Sequence, residues 1–184
     1  VCSSDLFLTG QFTYAISLCD NALTINPKCL LSLQCKADIF TVYSQYEDAI
    51  KMYDKIMALG NIKSSTYLEK GEVLYYLGRF EEAIRMYDEG IKMEDIFMDD
   101  CYFNKGIALY DSGRYQKSME MFDKTIELNP YNAEAYLYKG LYFSRLRKFK
   151  DAKKMYDKAK NLDSDEYPLG IVVPIAQGWD KLMQ

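Results

Sequence analysis

The residue types that usually carry chemistry are sparse in this chain of 184 residues. It contains no histidine, which is the commonest general base and the commonest metal ligand. Its five cysteines, at positions 2, 19, 29, 35 and 101, form no Cys-x-x-Cys pair, so their spacing predicts neither a zinc ribbon nor a disulfide framework. We expect free or buried thiols in a reducing compartment, and we therefore expect a cytoplasmic protein.

The acidic pairs have a structural explanation as well as a chemical one. Glu81-Glu82 and Asp99-Asp100 stand where loops are expected to lead into helices, and negative charge stabilises a helix N-terminus. No serine stands in a nucleophile-elbow motif, and no glycine-rich loop of the phosphate-binding type occurs. We therefore expect no catalytic residue, no metal site and no cofactor, and we predict that the chain is not an enzyme.

The composition limits the classes of partner that we expect the chain to bind. The net charge is −4, whereas general nucleic-acid binders usually carry a basic excess, so we expect no nucleic-acid partner. The longest apolar run, residues 169–176, is too short to span a bilayer, so we expect no membrane span. Two counts are unusual, because tyrosine occurs 17 times and proline only four times.

A repeat of 34 or 35 residues explains the tyrosines. The strings MYDKI, MYDEG, MFDKT and MYDKA begin at residues 52, 86, 121 and 155. Lysine followed by alanine or glycine recurs with the same period at residues 36, 70, 105 and 139, and a half-copy precedes them at residues 10–27. Such a period is typical of repeat proteins.

Each unit is predicted to form two helices. Tyr102, Gly106 and Leu109 fall at helical spacing, Asp111-Ser112-Gly113 breaks the run, and a second helical face follows from Tyr115. Gly106 should cost its helix about 1 kcal/mol relative to alanine, so we expect a large residue to pack against it. The natural candidate is Phe122 on the second helix, with its equivalents in the other units.

The chain therefore resembles the tetratricopeptide repeat (TPR) family over residues 1–164. The resemblance implies an all-α fold, a right-handed α-solenoid of antiparallel helix pairs. It departs from the family pattern at four lysines, residues 36, 70, 105 and 139, where leucine is usual. The predicted divisions are a partial repeat at 1–29, repeats at 30–63, 64–98, 99–132 and 133–164, and a non-repeat tail at 165–184.

The two ends of the chain depart from the repeat pattern. Lys153 and Lys160 replace large apolar residues in the stripe that faces the next unit, so we expect the array to end near residue 164. For Trp179 in the tail we expect one of two placements: it docks on the last repeat, or it belongs to a further domain. The first six residues can be encoded by the end of a common sequencing adapter, so we expect a fragment of a longer protein whose true N-terminus is not seen.

The repeated lysines allow two interpretations. They recur in step with Asp54, Asp88, Asp123 and Asp157. We favour packing of each lysine stem between helices, with its ammonium near an aspartate of its own or the neighbouring unit. The alternative is that these lysines line the ligand groove and bind an acidic partner.

In this family the first helices line a concave, partner-binding groove. The resemblance implies a binding module for a protein or peptide with apolar anchors and some basic residues, acting as an adaptor or scaffold. The lysine–asparagine–arginine clamp of some relatives is not reproduced, since only Asn104 falls at such a place. The candidate groove residues are Gln34, Asp38, Thr41, Leu68, Glu72, Tyr75, Tyr76, Phe103, Ile107, Tyr110, Asp111, Leu137, Leu141 and Arg145.

Other functions remain open at this stage. The chain could be the regulatory or substrate-recruiting arm of a larger enzyme whose catalytic part lies elsewhere, which the complete reading frame would decide. It could also be a self-assembling scaffold, which a concentration-independent monomer mass would exclude. RNA-binding helical repeats of similar period would need a basic groove, and the acidic rim opposes that.

Overall fold

The computed structural model describes residues 3–60 and 62–162, and these residues form nine α-helices and no strand. The chain divides into two compact units, an N-terminal unit (Val1–Met98) and a C-terminal unit (Asp99–Gln184). The tail with Trp179 and the first two residues lie outside the described part. The helices are α1 (Ser3–Ile25), α2 (Leu30–Val42), α3 (Tyr46–Ala58), α4 (Ser64–Tyr76), α5 (Phe80–Ile91), α6 (Met98–Asp111), α7 (Tyr115–Leu128), α8 (Ala133–Arg145) and α9 (Phe149–Leu162).

Four helix pairs, α2/α3, α4/α5, α6/α7 and α8/α9, are each joined by the same tight turn. A residue with positive φ ends the first helix of each pair: Ser44 (58°), Gly78 (73°), Gly113 (81°) or Arg147 (56°). At the second turn, the backbone N–H of Arg79 donates to the carbonyl of Leu74 at 2.9 Å. This bond is the mark of a Schellman ending, in which a left-handed residue stops the helix.

A close glycine–aromatic contact holds three of the pairs together. A Cβ added to Gly106 would lie 2.6 Å from Cε1 of Phe122, whose side chain is fully buried. Gly71 faces Tyr87 and Gly140 faces Tyr156 in the same way. The prediction that large aromatics pack against these glycines is confirmed, and the missing Cβ lets the two helix backbones approach closely.

The first helix departs from the sequence expectation. The half-copy at residues 10–27 places Gly10 where the other units have their turn, but α1 continues unbroken through this position. Continuing the helix satisfies the backbone hydrogen bonds that a turn would leave open.

The stacking stripe of the second helices changes character along the chain. Ile50 on α3 and Met119 on α7 are buried, and these helices pack against α4 and α8. Lys153 and Lys160 stand at the corresponding positions of α9 and are exposed. The end of the array near residue 164 stays a prediction.

Candidate functional site

Three of the repeated lysines each form an ion pair with the aspartate sixteen residues earlier in the chain. Lys36 pairs with Asp20, Lys70 with Asp54 at 2.6 Å, and Lys139 with Asp123. Only 13% of the Lys70 side chain is exposed, while its aspartate is more than half exposed. For these three lysines the packing interpretation is confirmed, and the aspartate belongs to the preceding repeat. Partly exposed pairs of this kind contribute about 0–1 kcal/mol each.

A polar cluster lies where α2 meets α4 in the N-terminal unit. The side-chain amide of Gln34 donates to Asp38 at 3.0 Å and to Glu69 at 2.6 Å. Burial raises the pKa of Glu69, and it raises the pKa of Tyr53, with the charges of Glu69 and Asp38 adding to the second effect. The structure thus brings the predicted Gln34 and Asp38 together with two groups that the sequence analysis missed.

The two missed groups had different signals. Tyr53 was recognised as a recurrent packing aromatic, and its ring is buried as expected. Hydrogen bonds with Thr41 and Gln34 oppose part of the rise in the pKa of Tyr53, and they link the predicted Thr41 to the same cluster. Glu69 carries no motif, and only its place next to Leu68 on a first helix could have indicated it. The cluster presents two carboxylates toward one amide, and it favours a cation over an anion.

An aromatic surface lies two turns further along α4 than Glu69. The ring of Tyr76, which is 60% exposed, stacks on Tyr46 with centroids 5.6 Å apart, and Tyr75 meets Tyr76 edge-on at 5.7 Å. Leu68, by contrast, is buried, although it was predicted to line the groove. Glu72 is half-buried on the same helix. The N-terminal unit therefore offers an exposed tyrosine on the same helix as Glu69 and Glu72.

In the C-terminal unit one predicted groove residue belongs to the core. Phe103 is only 8% exposed and contacts Phe122 and Tyr138, with centroids 5.9 and 6.2 Å apart. Tyr138 stacks on Phe122 at 5.0 Å and covers it, which leaves Phe103 beneath the surface. Burial, with Asp111 and Glu134 nearby, raises the pKa of Tyr138 to about 12, so its hydroxyl stays protonated at neutral pH. Phe103 is thus corrected from a lining residue to a packing residue.

The accessible part of this unit surrounds Tyr110. The ring of Tyr110 meets Tyr115 at 5.0 Å and Tyr138 at 5.5 Å, both edge-on. The Arg145 guanidinium lies 4.2 Å from the Tyr115 ring centroid, a cation–π geometry. Asp111 is exposed at the end of the same helix as Tyr110. The remaining predicted residues, which are half-buried, are Ile107, Leu137 and Leu141.

Metal ligands, thiols and membrane-spanning helices are the other features that could indicate a function. They contain no group of three or more cysteine, aspartate or glutamate residues placed to hold a metal ion. Cys19, Cys29, Cys35 and Cys101 are free thiols, and Cys101 is buried. None of the described helices has both the length and the apolar character needed to cross a bilayer.

Three segments match known repeats. Family models described as tetratricopeptide repeat cover residues 64–96, 100–132 and 133–166. The chain belongs to the tetratricopeptide repeat family. No curated protein sequence matches it. As a TPR protein, it is a protein–protein interaction module.

Solved structures share its fold. A crystal structure of MamA is 22% identical, with a TM-score of 0.75, covering 84% of this chain and 90% of MamA. Pseudomonas aeruginosa PilF is 20% identical, with a TM-score of 0.75 and coverages of 87% and 72%. YrrB, described as a TPR protein with an unusual peptide-binding site, is 20% identical, with a TM-score of 0.68 and coverages of 89% and 84%. At these identities the likeness concerns the fold, and it confirms the all-α class of TPR helix pairs.

Proposed function

We propose that this TPR protein binds a protein or peptide partner through its first helices, as an adaptor, and that the partner combines apolar anchors with basic residues. The observation that carries the proposal is the polar cluster of the N-terminal unit, in which Gln34 joins Asp38 and Glu69. The exposed ring of Tyr76 follows two turns after Glu69 on α4. Glu69 is half-buried, and such a carboxylate gains from a nearby cation because burial has already removed part of its hydration.

Tyrosine side chains supply the apolar contacts of the proposed binding surface. Tyr76 is held by Tyr46 and Tyr75, so little side-chain entropy is lost when a partner packs against it. Rigid aromatic side chains are frequent energetic centres of protein interfaces. In the C-terminal unit, Tyr110 with exposed Asp111 repeats the combination of ring and carboxylate. The peptide-binding site described for YrrB is consistent with this use of the fold.

Selection from a random peptide-display library on the whole chain tests the proposal. We expect the recovered peptides to be enriched in lysine or arginine together with aromatic or aliphatic residues. A synthetic peptide from that selection should bind roughly tenfold more weakly to a Tyr76→Ala variant, since hot-spot aromatics contribute about 2 kcal/mol or more. Asp38→Asn should weaken binding and reduce its dependence on salt.

Two control variants match these changes. Ile96→Ala removes an apolar side chain that is 83% exposed away from the cluster, and Glu120→Gln removes an exposed charge from a second helix. Both should bind the selected peptide as the unaltered chain does. Equal effects of the test and control variants, or selected peptides without basic residues, would contradict the proposed groove.

A further inference from the structure

The last described helix carries an unusual concentration of positive charge. Between residues 145 and 162 the sequence has eight basic side chains and two acidic ones, although the whole chain carries a net charge of −4. All eight basic side chains are exposed. They are Arg145, Arg147, Lys148, Lys150, Lys153, Lys154, Lys158 and Lys160. This basic end, residues 145–162, therefore differs in sign from the rest of the protein.

Three of these lysines form a straight line. Lys150, Lys154 and Lys158 stand four residues apart on α9, so successive side chains lie about 6 Å apart along one side of the helix. They line an open groove together with Tyr136 of α8, and Asp157 and Asn161 complete its wall. The ammonium of Lys158 lies 5.8 Å from the Tyr136 ring centroid. Tyrosine thus fixes one member of the line against the neighbouring helix.

We propose that the basic end is a second binding surface, centred on the second helix α9 and sharing only Arg145 with the candidate groove of the first helices, and that its occupant is an acidic helical segment of a partner protein. Carboxylates at positions i, i+4 and i+8 of such a helix repeat about every 6 Å, which matches the lysine line. The charges are complementary, and complementary charge directs which partner docks and how fast.

The chemistry of α9 favours carboxylates over a nucleic acid. The line on α9 consists of lysines, whereas arginine is the residue that recognises phosphate with two parallel hydrogen bonds. The two arginines of the basic end, Arg145 and Arg147, precede α9, and the Arg145 guanidinium is already engaged with the Tyr115 ring. The Tyr136 ring already contacts Lys158 and is therefore not presented for base stacking. The acidic remainder of the chain would also repel a long polyanion more than a short acidic segment.

A membrane surface fits less well. Helices that lie on anionic lipid combine basic residues with large exposed apolar side chains on the opposite face. Among the described residues of the basic end, Leu146 is the large apolar side chain that is exposed, and it lies in the loop before α9. The surface is therefore suited to a protein partner.

Fluorescence anisotropy with a labelled helical peptide of Glu-Ala-Ala-Ala repeats, on the full chain, tests the proposal. The unaltered chain should bind this peptide and not its Gln-Ala-Ala-Ala counterpart, and binding should weaken as salt is added. The triple variant Lys150→Gln, Lys154→Gln, Lys158→Gln should bind roughly tenfold or more weakly. Lysine and glutamine have similar helix propensities, so α9 should stay folded, which circular dichroism verifies.

The matched control removes three exposed lysines from other second helices, with the variant Lys55→Gln, Lys117→Gln, Lys124→Gln. It changes the net charge equally and should bind the peptide within about twofold of the unaltered chain. If both triple variants lost the same amount of peptide affinity, net charge alone would explain the binding, and the proposal would be overturned. Tighter binding of oligo-dT or of phosphatidylserine vesicles than of the acidic peptide, abolished by the α9 variant, would assign the surface to a different partner. Neither result depends on the groove of the first helices.

Discussion

At the scale of single residues, the glycine opposite each aromatic ring gives the sharpest prediction. Alanine favours a helix over glycine by about 1 kcal/mol, so propensity alone predicts that Gly106→Ala stabilises the protein. The structure predicts the reverse, because the new Cβ would lie 2.6 Å from Cε1 of a ring that has no room to move. Overpacking of this kind costs about 1–3 kcal/mol. We expect a net loss of about 1 kcal/mol in the free energy of unfolding, measured with urea.

A second variant separates packing from other causes. In a Phe122→Leu background the ring is gone, so Gly106→Ala should cost much less or become stabilising. A gain of stability from Gly106→Ala in the unaltered chain would show that the two helices can separate at no cost.

The residue scale also shows what the sequence could and could not predict. The recurrence of Gly106 and Phe122 in register was sufficient to predict their contact, because the period reports geometry directly. The exposure of Phe103 was not predictable in this way, since a first-helix position is accessible or buried according to the size of its neighbours. Here Tyr138 covers the ring next to it. Glu69 was missed for a related reason, because a carboxylate gains its importance from the amide opposite it.

At the scale of elements, a turn inside the helix pair was predicted from Asp111-Ser112-Gly113, but the same left-handed conformation occurs also in the two pairs that have no glycine at this place. Gly78 and Gly113 supply positive φ without strain, whereas Ser44 and Arg147 adopt the same conformation with a side chain. A left-handed non-glycine residue costs about 1–2 kcal/mol, of which the greater freedom of glycine in the unfolded chain offsets part. The unbroken α1 helix shows that a glycine two residues before an aromatic, as at Gly10 and Phe12, does not by itself form the turn.

The turn gives a paired prediction. Ser44→Gly should raise the free energy of unfolding by about 0.5 kcal/mol, and Gly78→Ala should lower it by about 1 kcal/mol. No atom lies within 4 Å of a Cβ added at Gly78, so the second effect reports backbone strain and not crowding. Thermal or urea unfolding of both variants measures the difference. Effects of the same sign would mean that the turn does not require a left-handed residue.

At the scale of the whole molecule, the repeat pattern implies that stability is local. In repeat proteins the free energy of unfolding is approximately a sum of terms for single units and for contacts between neighbours. The N-terminal and C-terminal units each contain their own buried aromatics, Tyr53 and Tyr87 in one and Phe122 in the other. Damage to one unit should therefore be felt less in the other, unlike in a domain with a single core.

Phe122→Ala tests this property by amide hydrogen exchange. Removing a buried phenylalanine costs about 3–5 kcal/mol, so amides of α6, α7 and α8 should exchange much faster than in the unaltered chain. Amides of α2 and α3 should keep most of their protection, because α2 packs against α1 and α3, and α3 against α2 and α4. The control Ile96→Ala, which removes an exposed side chain from a loop, should leave the pattern unchanged. An equal loss of protection in all helices would show that the nine described helices unfold as one cooperative unit, and the additive picture would then be wrong.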